Sequence, residues 1–356
     1  MKWVTQSTAR SWVSQFLLIP ATLFPLLLLA ACWTSFTRPP PIDFFSFWTG
    51  ARQVLDGHGV AAYQTQPSAF GPLMPLAYPP PFLLWIAPFG LVGFGLAFAL
   101  WNLLTGSLYV FAAGEPRRAA LASPPAAASA LVGQNGFLTA AIFMSGFRLL
   151  DRRPSIAGLI LGLLVIKPQL ALLVPIALIA GGRWKALAGA ALSATSLAAV
   201  ALFVFGIEAF QRFAGVLLRY SALLQQGRWR WNELASSYAF VRWLGAGHAV
   251  ALAVHIAIAL TAAAIAWIAW RKDWDCKVPV LAAATLLISP YLFTYDAVLL
   301  ASPLAWLVVR RPGWAMAIWC LALVPLLRNV GYLGPNAIAL AAIVSLVAMI
   351  MPASAE

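Results

Sequence analysis

Long apolar runs, separated by short polar or basic segments, follow one another from residue 12 to residue 351. An α-helix needs about 20 predominantly apolar residues to cross the hydrocarbon core of a bilayer. Some of the runs reach this length, whereas others are shorter and end at proline, glycine or basic residues. The pattern predicts an all-α, polytopic integral membrane protein.

The polar interruptions divide the chain into about twelve predicted crossings. These are residues 12–33, 82–112, 119–133, 137–150, 155–167, 169–181, 186–206, 248–270, 278–291, 296–309, 314–328 and 336–351. Pro88 and Gly93 interrupt the second crossing, which we therefore expect to be broken. Residues 34–80 and 207–247 remain as outer loops, each with an approximate amphipathic helix for the membrane interface. We expect residues 1–356 to form a single transmembrane domain.

Basic residues determine the predicted orientation, because cytoplasmic loops of membrane proteins are enriched in lysine and arginine. The clusters are Lys2 with Arg10, Arg117-Arg118, Arg152-Arg153, Arg183 with Lys185, Arg271-Lys272 with Lys277, and Arg310-Arg311. If every cluster is cytoplasmic, both chain ends lie inside and the two long loops lie outside. We therefore interpret the net charge of +13 as topological and expect no nucleic-acid partner.

Composition supports the membrane prediction and narrows the possible chemistry. The chain is 62% hydrophobic and 9% charged, with a mean hydropathy of +0.86, which excludes an ordinary soluble domain. Cys32, Cys276 and Cys320 are far apart, so neither a structural disulfide nor a zinc site is expected. Residues 29–32 fit a lipoprotein cleavage box, but the apolar run is long enough to span, and we expect an uncleaved first helix.

Carboxylates are rare enough to be considered one by one, since Asp and Glu together number ten. Asp43 follows three prolines and begins the aromatic stretch Asp43-Phe44-Phe45-Ser46-Phe47-Trp48. A carboxylate in an aromatic, partly desolvated pocket has a raised pKa and can act as a general base. The structural alternative is an N-cap for a helix over residues 44–55. The two roles are compatible, and we expect Asp43 to be catalytic.

Further polar motifs fall on the predicted outer side, at the ends of apolar runs. They are Tyr78-Pro79-Pro80, Gly133-Gln134-Asn135-Gly136, Lys167-Pro168-Gln169, Tyr295-Asp296 and Arg328-Asn329. Lys167 and Arg328 could each bind a phosphate or simply extend to the lipid headgroups. Asp296 could bind a substrate hydroxyl, although a helix N-cap is the simpler interpretation. Gln134 and Asn135 could likewise bind hydroxyls or cap a helix.

Weaker candidates lie in the loops. Arg52, Arg228 and Arg230 are further cations for a phosphate, and His58 lies in the turn sequence Asp56-Gly57-His58-Gly59. Asp273 and Asp275 have the spacing of a metal-binding DxD pair but fall on the predicted cytoplasmic side. We therefore expect no metal site.

Several motifs occur together in the order found in a known family. They are residues 43–52, 55–59, 78–82, Trp101-Asn102, 133–136, 157–162, 167–169, 183–185 and Ser289-Pro290-Tyr291-Leu292-Phe293-Thr294-Tyr295-Asp296. With these motifs the chain resembles glycosyltransferase family 87, the DUF2029 group within the GT-C superfamily. It is similar in particular to the mannosyltransferases of that family that use polyprenyl-phosphate mannose. The resemblance implies an outward-facing site that transfers a hexose with inversion, without a nucleotide sugar and without a cofactor.

The resemblance also implies roles for the candidate residues. Asp43 would be the base, and Lys167, Arg328 and Arg52 would bind the donor phosphate. The substrate-binding residues would be His58, Tyr78, Gln134, Asn135, Gln169, Tyr295 and Asp296. A lipid or glycan would be the acceptor, at the periplasmic or exterior face of a bacterial inner membrane. The alternative is a transporter or lipid-carrier flippase, which would place ionisable residues near the bilayer midplane rather than at one face.

Overall fold

The computed structural model describes residues 20, 23, 25–33, 42–65, 74–114, 123–332 and 334–352. The predictions about Lys2, Arg10 and Arg117-Arg118, and about the first half of span 12–33, lie outside the described residues. Within them the chain is helical, and no strand is formed apart from an isolated antiparallel bridge between Leu234 and Phe293. The predicted all-α class is confirmed.

In the described residues the α-helices are, in chain order, α1 (Ile42–Leu55), α2 (Pro80–Ile86), α3 (Phe94–Ala113), α4 (Pro124–Val132), α5 (Gly136–Leu149), α6 (Pro154–Gly162), α7 (Pro168–Ala171), α8 (Leu173–Ala180), α9 (Trp184–Gln225), α10 (Ser237–Trp243), α11 (His248–Arg271), α12 (Lys277–Ile288), α13 (Ala301–Arg310), α14 (Pro312–Leu323) and α15 (Ile338–Ile350). Residues 25–33 are also helical. Segments of 3₁₀ helix are Gly59–Tyr63, Ala87–Leu91, Leu163–Ile166, Thr294–Leu300 and Val324–Val330.

Proline explains where several of the helices begin. Proline is the first residue of α2, α4, α6, α7 and α14, where its fixed φ and missing N–H suit the first turn. The predicted break in span 82–112 is confirmed, because a 3₁₀ turn containing Pro88 separates α2 from α3. The helices after residue 122 coincide closely with the predicted spans, since local sequence determines both.

In the part of the chain that the structure describes, three helices are long and apolar enough to cross a membrane, judged by length and composition: α3, α9 and α11. Other apolar helices in the described residues have only 10–17 residues, because prolines and 3₁₀ turns interrupt them. The count of about twelve crossings therefore stays a prediction. Large apolar side chains are exposed along α9, including Phe203 (92%) and Leu218 (73%), which fits contact with lipid.

Helix α9 is divided at Gly206, where φ is 70° and ψ is 173°. A positive φ strongly favours glycine. The break coincides with the predicted boundary between span 186–206 and the second outer loop. Before the break α9 packs closely against α6, since a Cβ on Gly158 would lie 2.0 Å from the carbonyl oxygen of Ala186. After the break α9 buries Tyr220.

Aromatic packing holds α1 in place. The ring of Phe44 contacts Phe98 edge-on at 5.3 Å, and that of Phe47 contacts Phe82 at 4.9 Å. The indole N–H of Trp48 donates to the carbonyl of Val92 at 2.9 Å. These contacts fasten α1 to α2 and α3, and they therefore position the first turn of α1, which contains Asp43.

Candidate active site

A cavity of about 300 Å³ lies where the predicted outer motifs meet. Seven of the predicted site residues line it: Asp43, Tyr78, Gln134, Lys167, Gln169, Tyr295 and Asp296. These residues come from α1, from the segment before α2, from the turn between α4 and α5, and from the segments around α7 and Thr294–Leu300. Motifs that are far apart in the chain therefore converge on one volume, of the size found for small-ligand sites.

Asp43 has a hydrogen-bonding neighbour but no ion-pair partner among the described residues. Its Oδ1 accepts a hydrogen bond of 3.0 Å from Nε2 of Gln134, and no described Lys or Arg forms an ion pair with it. Burial raises the pKa of Asp43 above its ordinary value, although the Gln134 hydrogen bond opposes this effect. The N-cap interpretation is wrong in detail, since α1 begins at Ile42 and Asp43 lies within its first turn.

Gln134 links Asp43 to the rest of the site. Its Oε1 accepts a hydrogen bond of 2.8 Å from the hydroxyl of Tyr78. The preceding residue, Gly133, has φ +67°, and a Cβ there would lie 2.7 Å from the ring of Phe98. Glycine is therefore required for this turn to bring Gln134 next to Asp43.

Lys167 forms a buried ion pair with Oδ1 of Asp296; their side chains are 2% and 1% exposed. Its Nζ also donates to Oδ1 of Asn135 at 2.8 Å and to the hydroxyl of Tyr78 at 3.4 Å. The rings of Tyr78 and Tyr295 lie 5.2 Å and 5.0 Å from Nζ. All three ammonium protons thus have partners, as a buried lysine requires.

Asp296 has a second structural role. Its Oδ2 accepts a hydrogen bond of 3.0 Å from the backbone N–H of Phe293. Asp296 is the third residue of the segment Thr294–Leu300, so it is not the N-cap that we expected. The same carboxylate therefore fixes the start of this segment and neutralises Lys167.

Four predicted site residues do not line the cavity. Asn135 is fully buried and reaches it only through Lys167. Arg52 is exposed and donates to the carbonyl of Gly90 at 3.2 Å, and His58 is exposed in its turn. Arg328 forms an ion pair of 2.6 Å with Glu233, and Glu233 does line the cavity.

Sequence reasoning missed an aromatic and acidic part of the lining: Tyr220, Trp229, Glu233, Tyr291 and Phe293. Backbone contacts join two of the segments that supply them, because the N–H of Ala235 donates to the carbonyl of Leu292 at 2.6 Å. The available signal was the scarcity of acids, which makes Glu233 as unusual as Asp43. Its neighbours Arg228 and Arg230 were considered instead, as cations for a phosphate.

No group of three or more His, Cys, Asp or Glu side chains in the described part of the chain could hold a metal ion. Asp273 and Asp275, the pair with DxD spacing, form ion pairs with Lys277 and Arg310 respectively.

Comparison with known proteins identifies the family of the chain. No curated protein and no solved structure matches the chain. A family model described as "Glycosyltransferase family 87" matches residues 76–303, which is more than half of the chain. The matched region contains Tyr78, Gln134, Lys167 and Asp296, whereas Asp43 precedes it. A match over this much of the sequence shows the family, and the chain belongs to glycosyltransferase family 87.

Proposed function

We propose that this glycosyltransferase is a GT-C-type membrane enzyme that moves a hexose, with mannose as the first candidate, from a polyprenyl phosphate to a lipid or glycan acceptor. The observation that carries the proposal is the position of Asp43. Its carboxylate lines the same cavity as the buried Lys167–Asp296 pair but has no cationic partner among the described residues. A site for glycosyl transfer needs a free base and a cationic region within reach of one sugar.

Asp43 is the proposed general base. The acceptor hydroxyl oxygen attacks the anomeric carbon, the bond from that carbon to the phosphate oxygen breaks, and Asp43 takes the hydroxyl proton. Attack from the side away from the leaving group inverts the anomeric centre. The raised pKa of Asp43 brings its basicity closer to the working pH, which favours proton transfer. Gln134 orients the carboxylate through its amide N–H.

Lys167 is the proposed partner of the leaving phosphate. Its contact with the Tyr78 hydroxyl, at 3.4 Å, is the longest of its three hydrogen bonds. A phosphate oxygen would replace this weakest contact, while Asp296 and Asn135 hold the ammonium in place. Negative charge that develops on the phosphate is then stabilised without a metal ion. The role proposed for Arg52 and Arg328 is weaker, because neither lines the cavity and both already have protein partners, the carbonyl of Gly90 and the carboxylate of Glu233.

The donor class can be tested directly. Protein in nanodiscs is incubated with labelled polyprenyl-phosphate mannose or with a nucleotide-activated mannose, together with an extract of bacterial envelope lipids. We expect transfer from the lipid donor only. Equal transfer from the nucleotide donor would refute the proposed donor class.

The periplasmic orientation has its own test. Gln64 is exposed in the first outer loop and Lys185 is exposed in a predicted cytoplasmic loop. In a variant with Ser at the native cysteines, Gln64→Cys should react with an impermeant thiol reagent in spheroplasts, and Lys185→Cys only after lysis. Ser68, in the same outer loop, lies outside the described residues. The reverse labelling would refute the orientation.

A further inference from the structure

The part of the cavity that sequence reasoning missed is a set of aromatic rings, here called the aromatic wall: Tyr220, Trp229, Tyr291 and Phe293. Tyr291 is at its centre. Its ring is nearly parallel to that of Tyr220 at 5.8 Å, and nearly perpendicular to those of Trp229 at 5.4 Å and Phe293 at 5.0 Å. Perpendicular neighbours create corners in which ring faces, rather than only edges, are available to a ligand.

The aromatic wall is held rigidly by its backbone. The bridge between Leu234 and Phe293 joins the segment after Trp229 to the segment after Tyr291. The hydroxyl of Tyr220 donates to the carbonyl of Pro75 at 2.7 Å, which fixes the third segment. Rings that are ordered in advance bind a ligand with little loss of conformational entropy.

Two polar groups stand at the aromatic wall with bonding capacity left. The indole N–H of Trp229 is buried and has no hydrogen-bond partner among the described residues. Glu233 lines the cavity, and its contacts with Arg328 at 2.6 Å and Arg230 at 3.8 Å both use Oε1. Its Oε2 therefore remains as an acceptor. A buried donor without a partner is costly unless a ligand satisfies it.

We propose that the aromatic wall is a subsite for a pyranose ring. The C–H face of the sugar packs on the aromatic rings, Trp229 Nε1 donates to one hydroxyl, and Glu233 Oε2 accepts from another. A pyranose combines an apolar face with a rim of hydroxyls, which matches this combination of groups. The proposal rests on the proposed function, because that function is the reason for a sugar to enter the cavity. Its test measures binding and does not depend on glycosyl transfer.

An apolar polyprenyl chain is the competing occupant. It would also pack on the rings, but it would leave Trp229 Nε1 unpaired and would make no use of Glu233. Variants that remove a polar atom while keeping an aromatic ring therefore separate the two occupants.

The test is saturation-transfer NMR with methyl α-D-mannopyranoside and the protein in nanodiscs. We expect saturation transfer from the wild-type protein to the ring C–H protons of the glycoside, and no saturation transfer from Trp229→Ala. Trp229→Phe keeps a ring but loses the N–H, so its dissociation constant should rise about fivefold, and that of Glu233→Gln about tenfold. Trp231→Phe is the matched control, because Trp231 packs on Tyr238 and does not line the cavity; it should bind as the wild type does.

Several results would overturn the proposal. The first is absence of saturation transfer from the wild-type protein to the glycoside. The second is an unchanged dissociation constant in Trp229→Phe and Glu233→Gln. The third is displacement of the glycoside by polyprenyl phosphate that carries no sugar. Displacement only by polyprenyl-phosphate mannose assigns the aromatic wall to the donor sugar, and retention assigns it to the acceptor sugar. If the variants lose glycoside binding but the wild type transfers no mannose, the proposed function fails alone. If transfer proceeds with unchanged KM in the variants, the subsite fails alone.

Discussion

Breaking the Lys167–Asp296 ion pair should strongly lower the free energy of unfolding. Both side chains are almost fully buried, with 2% and 1% exposed. Asp296→Leu leaves an ammonium whose remaining partners, Asn135 and Tyr78, are neutral. Removing one member of a buried pair costs about 3–5 kcal/mol, because the other charge stays desolvated and uncompensated. Lys167→Met should cost a similar amount.

The double variant Lys167→Met/Asp296→Leu removes both charges and should cost less than either single change, because apolar side chains of similar volume can replace a buried pair. It should nevertheless transfer no sugar if Lys167 stabilises the phosphate. The free energy of unfolding is measured by denaturant titration in mixed micelles, and turnover in nanodiscs. Arg212→Ala, in a pair that is 52% and 58% exposed, is the control and should cost below about 1 kcal/mol. Single changes as mild as this control, or a double change that costs their sum, would refute the reasoning.

Two further predictions concern the base and the turn that orients it. Asp43 acts only when ionised and burial raises its pKa, so kcat/KM should fall as the pH drops through a pKa above the ordinary value of about 3.9. Gln134→Leu should raise that pKa further, because it removes the hydrogen bond that lowers it. A pH profile of kcat/KM that is unchanged in this variant would contradict the prediction. Gly136→Ala should abolish folding or activity, since its Cβ would lie 2.1 Å from the carbonyl oxygen of Tyr295, whereas Gly215→Ala, with open space around it, should leave thermal stability and turnover at wild-type levels.

Much of the fold could be predicted because its determinants are local. Proline is the first residue of α6, and Gly206 with its positive φ marks the break in α9; both positions lie close to boundaries predicted from the sequence. The number of crossings cannot be predicted in the same way, because it depends on how short helices pair across a bilayer. Among the described helices, only α3, α9 and α11 reach spanning length by themselves.

The residues that form the polar half of the site were also predictable, but which of them bond to one another was not. Tyr78, Gln134 and Lys167 each interrupt an apolar pattern at the same predicted face, so their convergence could be expected. That Lys167 selects Asp296, 129 residues later, depends on tertiary packing.

The aromatic wall and the misplaced cations show where local sequence is insufficient. An arginine near a membrane surface has the same neighbours in sequence whether it binds a phosphate or a protein group. Arg52 bonds a backbone carbonyl and Arg328 bonds Glu233, and neither partner has a sequence signature. Tyr220 had no sequence signal, and Tyr291 was noted only as part of the motif at residues 289–296, because only the fold brings these two rings to the cavity.

The central claim is that Asp43 is the general base, and turnover of Asp43→Asn tests it most directly. Asparagine keeps the shape of the side chain but cannot accept the proton at neutral pH. Transfer from polyprenyl-phosphate mannose should fall by about 10²–10⁴-fold, the usual share of general base catalysis, while thermal stability changes little. Asp56→Asn, an exposed aspartate just after the same helix, should retain wild-type turnover. Near-normal turnover in Asp43→Asn, or loss of activity only through unfolding, would contradict the account.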